Sequence, residues 1–213
     1  MKLISCQQGT AEWFAARCGV ITASKFKEAT DRYVKATGGK KVGAWKASAE
    51  NYAFSIAVER LSGQIIEDQY QTFAMRRGQE LEAAARDLYA ERTGSEVSET
   101  GVVVTDCGNF GYSADGLVGT DGSIEIKSLM SAKSILPVFA GDLSEFIDQM
   151  QGGLMINERE WCDFVLYTPQ LSKVGKDLLI RRVYRDESYI NSLRNDLDQF
   201  NELVWETIAK LST

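Results

Sequence analysis

The chain has 213 residues, 44% of them hydrophobic and 25% charged, an ordinary globular composition that can bury a sizeable core without disulfide staples. It contains no histidine, which excludes imidazole zinc sites and Ser–His or Cys–His nucleophile pairs, and no apolar run is long enough to span a membrane. The formal net charge is −6, from 30 acidic and 24 basic residues; this speaks weakly against a nucleic-acid partner unless Lys and Arg are concentrated in one groove. Cys6, Cys18, Cys107 and Cys162 form no C-x-x-C pair, and the N-terminal residues are too poor in apolar side chains for a secretory signal. The expectation is a cytoplasmic protein with free thiols. With two prolines and no linker or repeat, residues 1–213 read as one domain.

In chain order, Thr10 to Ala16 reads as a short helix carrying Trp13 and Phe14, both expected in the core. A second short helix starts near Thr22 or Ser24, each a good N-cap type. The stretch Gly38-Gly39-Lys40-Lys41-Val42-Gly43 reads as a mobile loop. With Lys35 and Lys46 it could track a DNA backbone or simply be solvated. Trp45 to Leu61 and Phe73 to Thr93 read as helices stopped by Gly63 and Gly94. Val97 to Thr105, Phe110 to Val118 and Ser123 to Lys127 read as strands, the last two joined by an Asp-Gly turn. Leu143 to Ile156 is expected to be helical, followed by strands at Trp161 to Thr168 and Leu178 to Tyr184. Ile190, Leu193, Leu197, Phe200, Val204, Ile208 and Leu211 recur at spacings of three and four, which predicts a C-terminal helix capped by Asp186 or Ser188. The order gives a mixed sheet flanked by helices, α/β or α+β.

The chemistry-bearing stretch is Ser113-Ala114-Asp115-Gly116, followed by the turn and then Glu125-Ile126-Lys127. In a strand, residues two apart share a face, so Glu125 and Lys127 point together and Ile126 points away. Asp115 can lie opposite them. Two carboxylates suit Mg²⁺ or Mn²⁺, and such an ion can assist phosphodiester hydrolysis with a lysine orienting the water. A solvated Glu-Lys pair beside an Asp-Gly turn has the same pattern, so the spacing alone does not decide.

Asp-x9-Glu-x-Lys resembles the motif of the PD-(D/E)xK nuclease superfamily. More narrowly, four segments resemble the lambda-exonuclease (YqaJ-like) family of phage recombination nucleases. They are Trp13 to Ser24 (W-x3-R-x-G-x-I-T-A-S), Arg77 to Glu82 (G-x3-E), Ser113 to Gly116 with Glu125 to Lys127, and Asp148 to Gln151 (Q-x-Q). They occur in the family's order. One departure is Ala114, where the superfamily name has proline.

The resemblance implies a restriction-endonuclease-like mixed β-sheet flanked by helices. It implies a Mg²⁺-dependent 5′-to-3′ exonuclease that digests one strand of linear duplex DNA to mononucleotides and leaves 3′ single strands for annealing-based recombination. Asp115, Glu125 and the Ile126 carbonyl would be direct metal ligands, with Glu82 direct or through water, and Lys127 would activate water. Arg17, Ser24, Ser113 and Gln149 would grip a terminal 5′-phosphate. Gln149 and Gln151 could instead be polar positions on a half-buried helix, and Ser24 a helix cap. Arg76 and Arg77 are candidates for DNA backbone contacts. A homotrimeric ring and a single-strand annealing protein are the implied partners, with no membrane. The alternatives are an endonuclease of the same superfamily and a catalytically silent DNA-binding module.

Overall fold

The computed structural model describes residues 1–66 and 73–213, with all their side chains except those of residues 73–76 and 79. In chain order the elements are β1 (Lys2–Ile4), α1 (Ala11–Arg17), β2 (Ile21–Thr22), a 3₁₀ turn (Ala23–Lys25), α2 (Phe26–Ala29), α3 (Ala47–Ser62) and α4 (Phe73–Thr93). There follow β3 (Val97–Ser98), β4 (Val102–Val104), β5 (Phe110–Tyr112), β6 (Gly116–Val118), β7 (Gly122–Lys127), α5 (Ala132–Phe139) and α6 (Ile147–Asn157). The chain ends with β8 (Trp161–Tyr167), a second 3₁₀ turn (Pro169–Val174), β9 (Leu178–Tyr184) and α7 (Glu187–Leu211).

The strands form two mixed sheets rather than one. The first has the order β1-β4-β5-β2 and the second β3-β6-β7-β8-β9. Two segments that read as single strands are therefore broken between sheets. Val97 to Thr105 divides at Gly101, where a Cβ would lie 2.0 Å from the Ile4 carbonyl oxygen; the backbone passes β1 too closely for any side chain. Phe110 to Val118 divides at Ser113-Ala114-Asp115, and this break crosses from one sheet to the other.

Both faces of the second sheet are covered. Ile124 and Ile126 of β7 and Val165 of β8 pack on Ala85 and Tyr89 of α4. The alternate residues Cys162, Phe164 and Leu166 pack on Met150 and Leu154 of α6 and Val138 of α5. Helix α6 also turns Met155 and Ile156 toward β5, α3 and α7, so it lies between the two sheets. Such close approach depends on Gly152 and Gly153. A Cβ on the first would meet the Phe26 ring at 2.3 Å, and one on the second the Tyr112 ring at 2.7 Å.

Helix α7 buries Ile190, Leu193, Leu197, Phe200 and Val204 against α3, with Tyr52 stacked on Phe200 at 5.5 Å. Its expected stripe ends early, since Ile208 is half-buried and Leu211 exposed. Asp186 is its cap, accepting from the Tyr189 N–H. Helix α6 starts at Ile147, not Leu143, because the Asp142 carboxylate accepts from the Ser144 N–H and holds a local turn. Helix α5 was not foreseen: it is short and contains Pro137, and its start is set by the Ser131 cap. The two-residue β2 and three-residue β1 are also too short to read as periodic patterns. Residues 31–46 close on themselves through Tyr33–Ala44 backbone bonds and Arg32 stacked on Trp45 at 3.4 Å. Among the described residues no helix is long and apolar enough to cross a membrane.

Candidate active site

The sheet-to-sheet break places its side chains in a cavity of about 590 Å³. Ser113 and Asp115 line it from the break, Glu125, Ile126 and Lys127 from β7, Glu82 from α4, Gln149 from α6, and Arg17, Thr22 and Ser24 from the N-terminal segment. All nine residues expected in the site thus meet in one space, although they come from five separate stretches of chain.

The strand register dictates the core of the cluster. Gly116 pairs with Ile124, and the Asp115 N–H donates to the Ile124 carbonyl at 3.2 Å, so Asp115 stands beside Glu125. One Asp115 carboxylate oxygen accepts from the Ile126 N–H at 2.6 Å. Glu125 is only 2% exposed, yet both its oxygens are satisfied. Oε1 accepts from Lys127 Nζ at 2.8 Å and from Gln149 Nε2 at 2.5 Å, and Oε2 accepts from the Tyr112 hydroxyl at 3.2 Å. A buried carboxylate without such partners would be prohibitively costly.

The electrostatics follow from burial and like charge. Burial, then the neighbouring Glu125 and Glu82, push the Asp115 carboxyl well above the usual carboxylate range; Lys127 and the Ile126 N–H pull against this without reversing it. Glu82 is also raised, chiefly by burial, although the Arg86 guanidinium opposes the shift. Burial disfavours the Lys127 ammonium, but the Glu125 and Asp115 charges outweigh it and hold its pKa above the ordinary lysine value. Tyr112 is pushed far up by burial and by Glu125, so its hydroxyl stays a donor.

At the other end, Arg17 lies over the Trp13 ring, 3.9 Å from its centroid, and donates to Thr22 Oγ1 at 3.4 Å. The Trp13 indole N–H donates to Ser113 Oγ at 3.0 Å. Trp13 is therefore half in the core, against Val20, Val102 and Val104, and half in the cavity wall, where it joins Arg17 to Ser113. Ser24 is exposed within the 3₁₀ turn, its hydroxyl 3.4 Å from that of Thr22. It is not the helix cap: Thr22 holds that position and makes no side-chain capping bond. Of the two glutamines, Gln149 reaches the cavity, whereas Gln151 is structural, bonding the Tyr184 carbonyl and the Asp186 N–H.

Four residues were not foreseen in these roles. Tyr112 and Thr22 line the cavity. Gln8 donates to the Ala114 carbonyl at 2.8 Å, fixing the break from outside. Arg86 donates to the Asp115 carbonyl at 2.9 Å and to Glu82 at 2.7 Å, which ties α4 to the break. No spacing rule points to Tyr112 or Gln8; only the Glu82–Arg86 pair has a helical signature, at i and i+4. Arg77 donates to the Ser128 carbonyl at 3.4 Å. The Arg76 side chain lies outside the described residues.

Residues 12–160 match the YqaJ-like viral recombinase domain. The chain belongs to that family. The alkaline exonuclease LHK-Exo from Laribacter hongkongensis is 34% identical, with 95% of this chain and 96% of that one covered and a TM-score of 0.79. Its structure in complex with dAMP matches at 35% identity over the same shares, with a TM-score of 0.80. A phage-related exonuclease from Haemophilus somnus 129PT shares the fold at 15% identity, covering 90% of this chain and 96% of that one, with a TM-score of 0.67. No curated protein matches. The fold is restriction-endonuclease-like, and this YqaJ-family chain is a DNA exonuclease, a hydrolase of phosphodiester bonds.

Proposed function

We propose that this YqaJ-family exonuclease is Mg²⁺-dependent and works 5′ to 3′ on one strand of linear double-stranded DNA, releasing mononucleotides and leaving 3′ single strands for annealing-based recombination. The observation that carries this reading is one cavity with a carboxylate pair at its centre and an arginine with hydroxyls at its end. The first arrangement suits a divalent ion, the second a terminal phosphate.

The donor set fits a hard cation. Asp115, Glu125 and the Ile126 carbonyl offer oxygen alone, which favours Mg²⁺, with Mn²⁺ acceptable. Among the described residues no three acidic or thiol side chains converge into a ready cage. Two side chains and a carbonyl would leave positions for water, and Glu82, held by Arg86, would act through one of them. When bound, the ion lowers the pKa of a coordinated water and offsets charge on the phosphoryl oxygens.

The remaining steps belong to the chain. Lys127, kept charged by its two acidic neighbours, orients the attacking water and shields charge developing on the scissile phosphate. Arg17 and Ser113, set by Trp13, receive the 5′-phosphate with Ser24 and Gln149. Each cleavage then exposes a new 5′-phosphate for the same grip, which gives the polarity. The dAMP complex of LHK-Exo supports a mononucleotide product. The proposal extends to a single catalytic domain over residues 1–213, a ring-shaped homotrimer around the duplex, a single-strand annealing partner and a bacterial cytoplasmic location. A ring with a basic bore and acidic outer face would accommodate the net charge of −6.

The test compares linear duplex carrying 5′-phosphate or 5′-hydroxyl ends with covalently closed circles, in Mg²⁺. Mononucleotides should leave the 5′ ends of phosphorylated linear DNA fastest, and circles should survive. Cutting of circles at a comparable rate, or release from 3′ ends, would overturn the reading.

A further inference from the structure

The segment that carries Arg17 is held by a helix that contributes nothing to the cavity. After Arg17 the chain turns through Cys18 and Gly19 into β2. Gly19 has φ +72°, and both of its backbone polar groups are taken by consecutive residues of α3. Its N–H donates to Glu59 Oε2 at 2.8 Å, and its carbonyl accepts from Arg60 Nε at 2.8 Å. Three residues on, the Thr22 N–H donates to the Tyr52 hydroxyl at 3.1 Å. The fit leaves no slack, since a Cβ on Gly19 would lie 2.8 Å from Arg60 Cγ.

Glu59 is an unexpected residue for that place. It is 4% exposed and lies in the last turn of α3, where the helix dipole disfavours a negative charge. Its carboxylate is satisfied from outside the helix, by Gly19 and, at 3.3 Å, by the Ile66 N–H. Glu59 also shares with Arg17, Thr22 and Tyr52 a second, small cavity of about 20 Å³, enough for one water. Arg17 therefore lines both cavities, the large one on one side and the Glu59 chamber on the other.

We infer that Glu59 is a positioning residue for recognition of the DNA 5′ end: with Tyr52 it fixes the Arg17–Thr22 turn from behind and so sets the discrimination between 5′-phosphoryl and 5′-hydroxyl termini. This rests on the reading of Arg17 as a phosphate ligand. A guanidinium binds phosphate through a planar fork, so a small rotation of the backbone that carries it removes the paired geometry while its charge stays in place. Displacing the turn should therefore reduce end discrimination more than it reduces general affinity for DNA.

The experiment measures kcat/KM on two blunt linear duplexes that differ only in a 5′-phosphate or 5′-hydroxyl, for the full-length protein and four variants. Arg17→Ala establishes the pocket by collapsing the ratio between the two substrates. Glu59→Met, which keeps the length but removes the acceptor for Gly19, should lower the ratio roughly tenfold or more. Glu59→Gln keeps a carbonyl oxygen for the Gly19 N–H and should recover most of it. Tyr52→Phe removes the hydroxyl that accepts from Thr22 and should lower the ratio in the same sense; it decides the matter if Glu59→Met does not fold. A wild-type ratio in folded Glu59→Met, or in Tyr52→Phe when that variant decides, overturns the inference while Arg17→Ala still collapses it. If Arg17→Ala itself leaves the ratio unchanged, the phosphate-pocket reading fails first and this inference with it.

Discussion

Replacing Asp115 with asparagine should stabilise the metal-free protein while abolishing its activity. The Asp115 carboxyl is raised well above its ordinary range by burial, Glu125 and Glu82. An acid whose folded-state pKa exceeds its unfolded value weakens folding as pH rises through that interval, and the penalty is complete above it. Asparagine cannot ionise, yet its side-chain carbonyl can still accept the Ile126 N–H that Asp115 now holds at 2.6 Å. Lys127 loses one attractive neighbour, which offsets part of the gain, but it keeps Glu125 at 2.8 Å. Relief of one crowded, half-buried carboxylate is worth about 1–2 kcal/mol, within the range of single stabilising substitutions. For a chain of this size that is about 3–6 °C in Tm. The assay is thermal unfolding in EDTA at about pH 8, where the penalty is expressed. Adding Mg²⁺ should then reverse the order: at 100-fold excess over its dissociation constant an ion stabilises by about 2.7 kcal/mol, and only the wild type can use it. An unchanged or lower Tm for Asp115→Asn in EDTA would show that the acid is not electrostatically strained, and the account of the cluster would fail.

Lys127→Ala should reduce hydrolysis by roughly 10²–10³-fold, the usual loss when one positioned donor to developing charge is removed, while duplex binding measured in EDTA is largely kept; full activity in single-turnover assays would remove the lysine from the chemistry. Gly153→Ala places a Cβ 2.7 Å from the Tyr112 ring, whose hydroxyl donates to Glu125. Such overpacking should cost about 1–3 kcal/mol by chemical denaturation. The variant should also raise the Mg²⁺ concentration needed for half-maximal activity, and a folded variant with an unchanged Mg²⁺ requirement would show that Tyr112 does not position Glu125.

The elements that could be read from sequence are those in which one periodic pattern covers one packed face. Helix α4 and strand β9 have the expected limits, and α7 begins at Glu187, directly after Asp186, one of its two expected caps. In each, propensity, apolar spacing and end signals agree. The misreadings fall where the backbone must do two things at once. Phe110 to Val118 reads as one strand only if Ser113, Asp115 and Gly116 are passed over; these weak strand formers permit a break at residues 113–115 but do not say that it crosses between sheets. The break exists because Tyr112 pairs within the first sheet and Gly116 within the second, and Gln8 and Arg86 hold the carbonyls between them from distant parts of the chain. Pairing of that kind is long-range and leaves no periodic trace.

The same reasoning explains why the site was more legible as a motif than as chemistry. Alternation alone puts Glu125 and Lys127 on one face, and the structure bears this out, with Ile126 on the other face against α4. Alternation does not say that Asp115 sits at the junction of two sheets, nor that Glu125 is buried and held by three donors. The spacing W-x3-R-x-G likewise has a physical content that only the fold supplies. Trp13 is one helical turn before Arg17 and carries it on its ring, and Gly19 is the one residue type that can take φ +72° against Arg60. In this sequence the residues proposed to meet the reacting atoms are recognisable by type, whereas those proposed to aim them, Tyr112, Arg86, Glu59 and Tyr52, look like ordinary core or helix positions. Their function comes from the backbone groups and carboxylates they hold, so substitutions there should alter selectivity and metal requirement before they abolish the reaction.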